Sequence, residues 1–118
     1  MNTKEAGIEG ENTAVKYLKK SGYKILERNF SVKTGEIDII AQDKNYIVFV
    51  EVKARESLKF GSPIESVTRQ KVRSIVRTAQ CYLRRKNMNN AYCRFDVIEV
   101  LRGEVNHVKN AFEMSSGY

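Results

Sequence analysis

The stretch "GEIDIIAQDKNYIVFVEVKAR", Gly35 to Arg55, decides the fold. It reads as two apolar runs, Glu36–Ala41 and Tyr46–Ala54, joined by the polar turn Gln42–Asn45. Both runs are rich in Ile and Val, which predicts a β-hairpin. Side chains alternate along a strand, so Ile37, Ile39, Val48, Val50 and Val52 belong to one face, and Asp38, Ile40, Ile47, Phe49, Glu51 and Lys53 to the other. Both faces are largely apolar, as in central strands covered on both sides. With Ala41 set opposite Tyr46, Asp38 faces Phe49 and Glu51 becomes its diagonal neighbour. Three charges therefore interrupt a surface that should continue the core.

Upstream of the hairpin, Tyr23–Phe30 reads as a short strand. Before it, Ala14, Tyr17 and Leu18 recur at helical spacing within about Thr3–Ser21, with Gly22 as the stop. Extending that stripe back by turns puts Glu11 near the edge of the core-facing side, a fourth misplaced charge. Downstream, a loop contains Gly61 and Pro63. Val72, Ile75, Val76, Ala79, Tyr82 and Leu83 then mark a long helix, with Ser66 or Thr68 as its cap. Tyr92–Leu101 is a further strand, Arg102-Gly103 a tight turn and Glu104–Asn110 a short last strand. The order αβββαββ predicts an α/β fold, a mixed sheet flanked by helices, and 118 residues make one domain over 1–118.

The formal net charge is +7 and the pI about 9.5, which points to an anionic partner. Distribution says more than the total. From Ser66 to Phe95 the chain carries Arg69, Lys71, Arg73, Arg77, Arg84, Arg85, Lys86 and Arg94 without a single Asp or Glu. A solvated helix normally mixes signs, so this one-signed stretch favours a phosphate-facing surface. No apolar run approaches the ~18 residues of a membrane span, and no basic segment leads into an apolar one at the N-terminus, so a soluble cytoplasmic protein with no membrane partner is expected. Cys81 and Cys93 form no CxxC pair and read as two buried, reduced thiols.

Diagonal partners across two strands lie ~7–8 Å apart by Cα, close enough for two carboxylates to converge on one divalent cation. Oxygen-only ligation suits Mg²⁺ or Mn²⁺, which bind through one or two carboxylates plus substrate phosphate. Asp38 and Glu51 fit that pattern, Glu11 could complete the outer shell, and Lys53 projects from the same face toward an attacking water or a phosphate. A salt bridge of Lys53 with Asp38 or Glu51 is the plain alternative. Two or three carboxylates against one lysine leave negative charge uncompensated, and that favours a metal.

At these residues, "GEIDIIA…VFVEVKAR" closely resembles the YraN family of small bacterial proteins, part of the PD-(D/E)XK restriction-endonuclease-like superfamily. The resemblance spans nearly the whole chain, including "GENTAVKYL", "GYKILERNF", "FGSPIESVTRQK", "CRFDVIEV" and "HVKNAF". It implies that Asp38 is the metal-binding Asp, that Glu51 and Lys53 form the ExK element, and that Glu11 matches the helix-one Glu of the resolvase-like branch. Ile37 stands where the motif's proline would. The implied activity is Mg²⁺- or Mn²⁺-dependent hydrolysis of phosphodiesters in DNA, branched or damaged structures included. The alternative is a non-catalytic nucleic-acid-binding protein that retains the nuclease fold, and a scaffold whose charges serve folding is a third reading.

Arg69, Lys71, Arg73 and Arg77 are expected to hold the nucleic-acid backbone; Lys71, at a lysine-bearing position of the family's second helix, reads either as approaching the site or as a solvated basic residue. Arg55 reads either as a phosphate contact or as a salt bridge near the strand's end. His107, the only histidine, excludes two-histidine mechanisms and reads as a packing or surface residue. Asp96 reads as a hydrogen-bonded structural acid. The aromatic residues, Tyr82 and Phe95 among them, read mostly as core rather than as a base-stacking platform. A homodimer is expected by analogy with small nucleases that cut two strands by pairing subunits.

Overall fold

A computed structural model of the chain describes residues 3–55 and 67–114. Helix α1 (Thr3–Lys20) precedes strands β1 (Lys24–Val32), β2 (Gly35–Asp43) and β3 (Tyr46–Arg55). Helix α2 (Arg69–Arg85) is followed by β4 (Tyr92–Leu101) and β5 (Glu104–Phe112). The αβββαββ order matches the restriction-endonuclease-like arrangement expected. All five strands form one sheet in the order β1-β2-β3-β4-β5, antiparallel except for β3 and β4. That parallel pair needs a crossover, and α2 lies on it. Gly61, Pro63 and Ser66 lie outside the described residues.

Each helix covers one face. Ala14 and Leu18 of α1 pack with Tyr23 on Ile39, Ala41, Val48, Val50 and Ile98. Ile75, Val76, Ala79, Tyr82 and Leu83 of α2 pack on Ile40, Ile47, Phe49 and Phe95. The sheet is thus buried on both sides, which explains why its central strands lack a polar face. Gly10 lets α1 approach β3: a Cβ there would lie 2.7 Å from Ala54 Cβ.

The helix ends follow from local chemistry. Thr68 caps α2, its side chain accepting from Lys71 N–H at 3.1 Å. Helix α1 closes with Tyr23 N–H donating to Leu18 O and Gly22 N–H to Lys19 O, Gly22 standing at φ 93. Helix α2 repeats this arrangement with Met88 to Leu83 and Asn87 to Arg84, Asn87 at φ 56. Both are Schellman closures, with a left-handed Gly or Asn just past the helix.

Both edge strands carry an asparagine in the left-handed region, Asn29 in β1 (φ 53) and Asn110 in β5 (φ 54). Asn110 turns its N–H inward to Asp96 Oδ1 at 3.0 Å. Asn29 lies between the pairs Arg28↔Ile39 and Phe30↔Ile37, level with Asp38. There the alternation of the strands fails: Ile37 packs with Phe30 in the α2-side cluster, while Ile39 stays on the α1 side. The expectation that Ile37 shares a face with Ile39 is corrected accordingly, because alternation holds only for regular backbone.

Candidate active site

Asp38 comes from β2, and Glu51 and Lys53 come from β3. The ladder pairs Asp43 with Tyr46, Ala41 with Val48 and Ile39 with Val50. Continued by one residue, it sets Asp38 directly opposite Glu51. The expected pairing of Ala41 with Tyr46, and of Asp38 with Phe49, is therefore off by two residues. The turn is the cause: Gln42 and Asp43 belong to β2, which reverses through Lys44-Asn45 with Lys44 at φ 56. A slip of two preserves the faces and brings the acids closer than a diagonal would.

At this point β2 leaves the ladder, and the Asp38 carboxylate takes over one of its tasks. Asp38 Oδ2 accepts from Val52 N–H at 2.8 Å. Burial pushes the Asp38 carboxyl up to about 7, aided by a hydrogen bond to Glu51 and by that neighbour's charge. The Val52 N–H and the Lys71 ammonium act in the opposite direction. Two facing carboxyls in a desolvated place thus favour retaining a proton near neutral pH.

Glu51 is buried, and its Oε2 lies 3.7 Å from Lys53 Nζ and 3.6 Å from Lys71 Nζ. The two lysine side chains remain 30% and 41% exposed, so the group opens to solvent on its cationic side. Of the two readings open for Lys71, the structure shows the one in which it reaches the site, and this changes the charge count. Two carboxylates meet two ammonium groups, which removes the uncompensated negative charge anticipated with one lysine.

Glu11 is held elsewhere. Its Oε1 accepts from Arg28 Nε and Nη2, both at 3.2 Å, and from Asn29 Nδ2 at 3.0 Å. Among the described residues no three or more His, Cys, Asp or Glu side chains gather as a metal cage. Glu11 is thus tied to the irregular part of β1 beside Asp38. The acids brought together are Asp38 and Glu51, a donor set that suits a small oxygen-preferring cation keeping several of its waters.

Arg55 forms the salt bridge weighed for it. Its Nε lies 2.6 Å from Glu99 Oε2, its Nη2 contacts the same oxygen, and its side chain is only 10% exposed. That buried pairing takes its guanidinium out of the basic surface. Arg69, Arg73 and Arg77 are exposed along α2.

Asp96 and His107 are structural. His107 Nε2 lies 2.7 Å from Asp96 Oδ2, and its Nδ1 lies 2.9 Å from Tyr17 OH. Arg94 reaches Asp96 through Nε and Nη2 at 2.9 and 3.0 Å and Tyr23 OH at 2.6 Å, and it pairs with Asp43 at 3.1 Å. Burial alone would raise the Asp96 carboxyl, but hydrogen bonds from His107, Arg94 and the Asn110 N–H hold it below its ordinary value. This buried network joins α1, β4 and β5. Apart from Arg94 and Asp96, two residues apart on β4, its members are distant in sequence, and spacing gave no signal for it.

Sequence periodicity also missed Tyr46 and Tyr92. They begin β3 and β4, lie in register, and are 43% and 69% exposed with ring centroids 6.0 Å apart. Tyr82 and Phe95 are core, as expected. Cys81 and Cys93 are free thiols, half-buried rather than buried. Among the described residues no helix is long and apolar enough to cross a membrane.

Comparison with known proteins agrees with the resemblance in the sequence. The model of the uncharacterised protein family UPF0102 matches residues 10–100, a span that contains Glu11, Asp38, Glu51, Lys53 and Lys71. A UPF0102 protein of Clostridioides difficile is 52% identical, covering 95% of this chain and all of the relative. One from Caldicellulosiruptor saccharolyticus is 50% identical with the same coverage. One from Persephonella marina is 49% identical over 92% of this chain and 93% of its own length. Matched by the family model and by these relatives over most of its length, the chain belongs to the UPF0102 family.

Proposed function

We propose that the protein hydrolyses phosphodiester bonds in nucleic acid, DNA in the first place, with Mg²⁺ or Mn²⁺ held by Asp38 and Glu51. The observation that carries this reading is the pair of carboxyls set opposite one another where β2 leaves β3, with Lys53 beside them, in a restriction-endonuclease-like fold. When bound, the cation supplies Lewis acidity toward a phosphate oxygen. Asp38 is oriented by Val52 N–H and gives up the proton that its environment retains. Lys53, partly exposed and next to Glu51, orients the attacking water and neutralises charge gathering on the phosphate. Lys71 fixes the Glu51 carboxylate from the other side. Glu11 acts at one remove, holding Arg28 and Asn29 so that the β1 segment level with Asp38 keeps its shape.

A second reading is favoured by one observation: the two lysines balance the two acids without any ion. On that reading the protein binds nucleic acid and does not cut it. The test is cleavage of labelled duplex, single-stranded and four-way-junction DNA, and of the matching RNA, with Mg²⁺ or Mn²⁺. Wild type is compared with Asp38→Ala and Lys53→Ala. Cutting that requires metal and falls by about 10²-fold or more in each variant is expected. Binding without cutting on every substrate would instead establish the binding-module reading.

A further inference from the structure

A trough runs between α2 and the β1–β2 turn. Its first part is lined by Thr34, Gln70, Arg73, Ser74 and Arg77. Its continuation includes Lys33, Thr34, Arg77, Arg84 and Arg85. Thr34 and Arg77 line both parts, so the two make one path along the helix.

The walls of this path are fixed to one another. Ser74 Oγ donates to Thr34 O at 2.5 Å, and the Thr34 and Thr78 hydroxyls are 2.9 Å apart. A Cβ on Gly35 would collide with Ser74 Oγ. The turn therefore sits close against α2, where a side chain at position 35 would displace the Ser74 hydroxyl that ties the two walls together, and the trough is preformed.

Its charge has a single sign. Lys33, Arg73, Arg77, Arg84 and Arg85 are exposed, and among the described residues none of the five forms an ion pair with a carboxylate. Arg85 lies over the Phe30 ring, 5.8 Å from its centroid, which steadies that guanidinium at the far end. The near end includes Gln70, the neighbour of Lys71, whose ammonium is 3.6 Å from Glu51. From Arg73 to Arg84 the helix rises about 17 Å at 1.5 Å per residue. Stacked nucleotides advance about 3.4 Å each along a strand, so this length matches about five of them.

We infer that the trough seats the sugar–phosphate backbone of one nucleic-acid strand over about five nucleotides leading away from Asp38 and Glu51. Planar guanidinium groups spaced along one line fit successive phosphates, and the fixed walls hold a single backbone. The direction of the path rests on the function proposed above. The binding itself requires neither metal nor cleavage.

The test is fluorescence anisotropy in EDTA with labelled twenty-nucleotide single-stranded and duplex DNA, across salt concentrations. The trough variant Lys33→Gln/Arg77→Gln/Arg84→Gln is compared with Lys16→Gln/Lys19→Gln/Lys20→Gln, which removes equal charge from exposed positions of α1. The single change Arg84→Gln guards against a folding defect in the triple. The trough variant is expected to bind at least about tenfold more weakly and to lose about two from the slope of log K against log salt, at ~0.7–0.9 per phosphate contact. The α1 variant is expected to change binding by less than about threefold. Whichever of the two DNAs is bound more tightly identifies the seated form. Equal weakening by both triples would show a net-charge effect and overturn the inference, as would unchanged binding by the trough variant. Failure of the nuclease reading looks different: in EDTA wild type binds and the trough variant does not, while in the separate cleavage assay with Mg²⁺ or Mn²⁺ wild type cuts nothing.

Discussion

Asp38→Asn should make the metal-free protein more stable at neutral pH. The wild-type carboxyl is pushed up to about 7 by burial and by the facing Glu51, whereas in the unfolded chain it titrates near 3.9. A carboxyl raised on folding contributes stability that is fully present below its unfolded pKa and is lost as the pH rises through the folded one. The loss amounts to about 4 kcal/mol at pH 8, about 1.5 at pH 5 and under about 1 at pH 4. Asn keeps an oxygen for Val52 N–H and offers an amide hydrogen to Glu51, so it keeps the contacts while removing the titration. Urea unfolding followed by far-UV circular dichroism, in EDTA at pH 8, 5 and 4, should show Asp38→Asn ahead by roughly 2–4 kcal/mol at pH 8, with the advantage fading toward pH 4. A variant no more stable than wild type at pH 8, or an advantage flat across the range, would refute the account of Asp38 as a strained carboxyl.

Added Mg²⁺ or Mn²⁺ should raise the melting temperature of wild type and leave that of Asp38→Asn nearly unchanged; equal shifts in both would place the ion elsewhere. Gly10→Ala should destabilise by about 1–3 kcal/mol in urea, because the collision with Ala54 Cβ outweighs alanine's helix preference of about 1 kcal/mol. Asp96→Ala should cost about 3–5 kcal/mol by leaving Arg94 and His107 without their shared acceptor, and a loss under 1 kcal/mol would show that the network is dispensable. Because the Asp96 carboxyl titrates below its ordinary value, its contribution is present above the unfolded pKa and disappears only as the pH falls through the folded one. Acid unfolding of wild type should therefore begin below about pH 4, and Asp96→Asn should blunt it.

Hydrophobic pattern carried most of the fold. The Ile and Val runs of β2 and β3, and the helical recurrence from Val72 to Leu83, fixed the element order and which residues face each helix. Parity made the site legible as well: a register error of two residues left Asp38 and Glu51 on one face, though it misjudged how directly they meet. What stayed hidden depended on backbone conformation and on long-range pairing. The left-handed Asn29 moves Ile37 to the other cluster, and nothing in local composition marks it apart from other asparagines. Arg55 reads as a basic residue until Glu99, on the neighbouring strand, is seen to hold it. Lys71 could be read from the sequence as approaching the site or as one solvated cation among many; the packing of α2 delivers it to Glu51 and cancels the charge imbalance on which the metal argument first rested. The Tyr17–His107–Asp96 chain joins three elements from opposite ends of the sequence, and one-dimensional spacing has no means of proposing it.

The left-handed asparagines of β1 and β5 have a consequence for assembly. A regular outer strand offers a row of amide and carbonyl groups to which another chain can add. Asn29 and Asn110 break that row on the two borders of the sheet, and Asn110 spends its amide on Asp96. Templated growth from border to border is therefore discouraged, which guards a concentrated solution of this protein against ribbon-like aggregation. A second subunit pairing with the first would then meet it through side chains, and dissociation by moderate salt or by surface substitution should be easier than for a continuous intersubunit sheet.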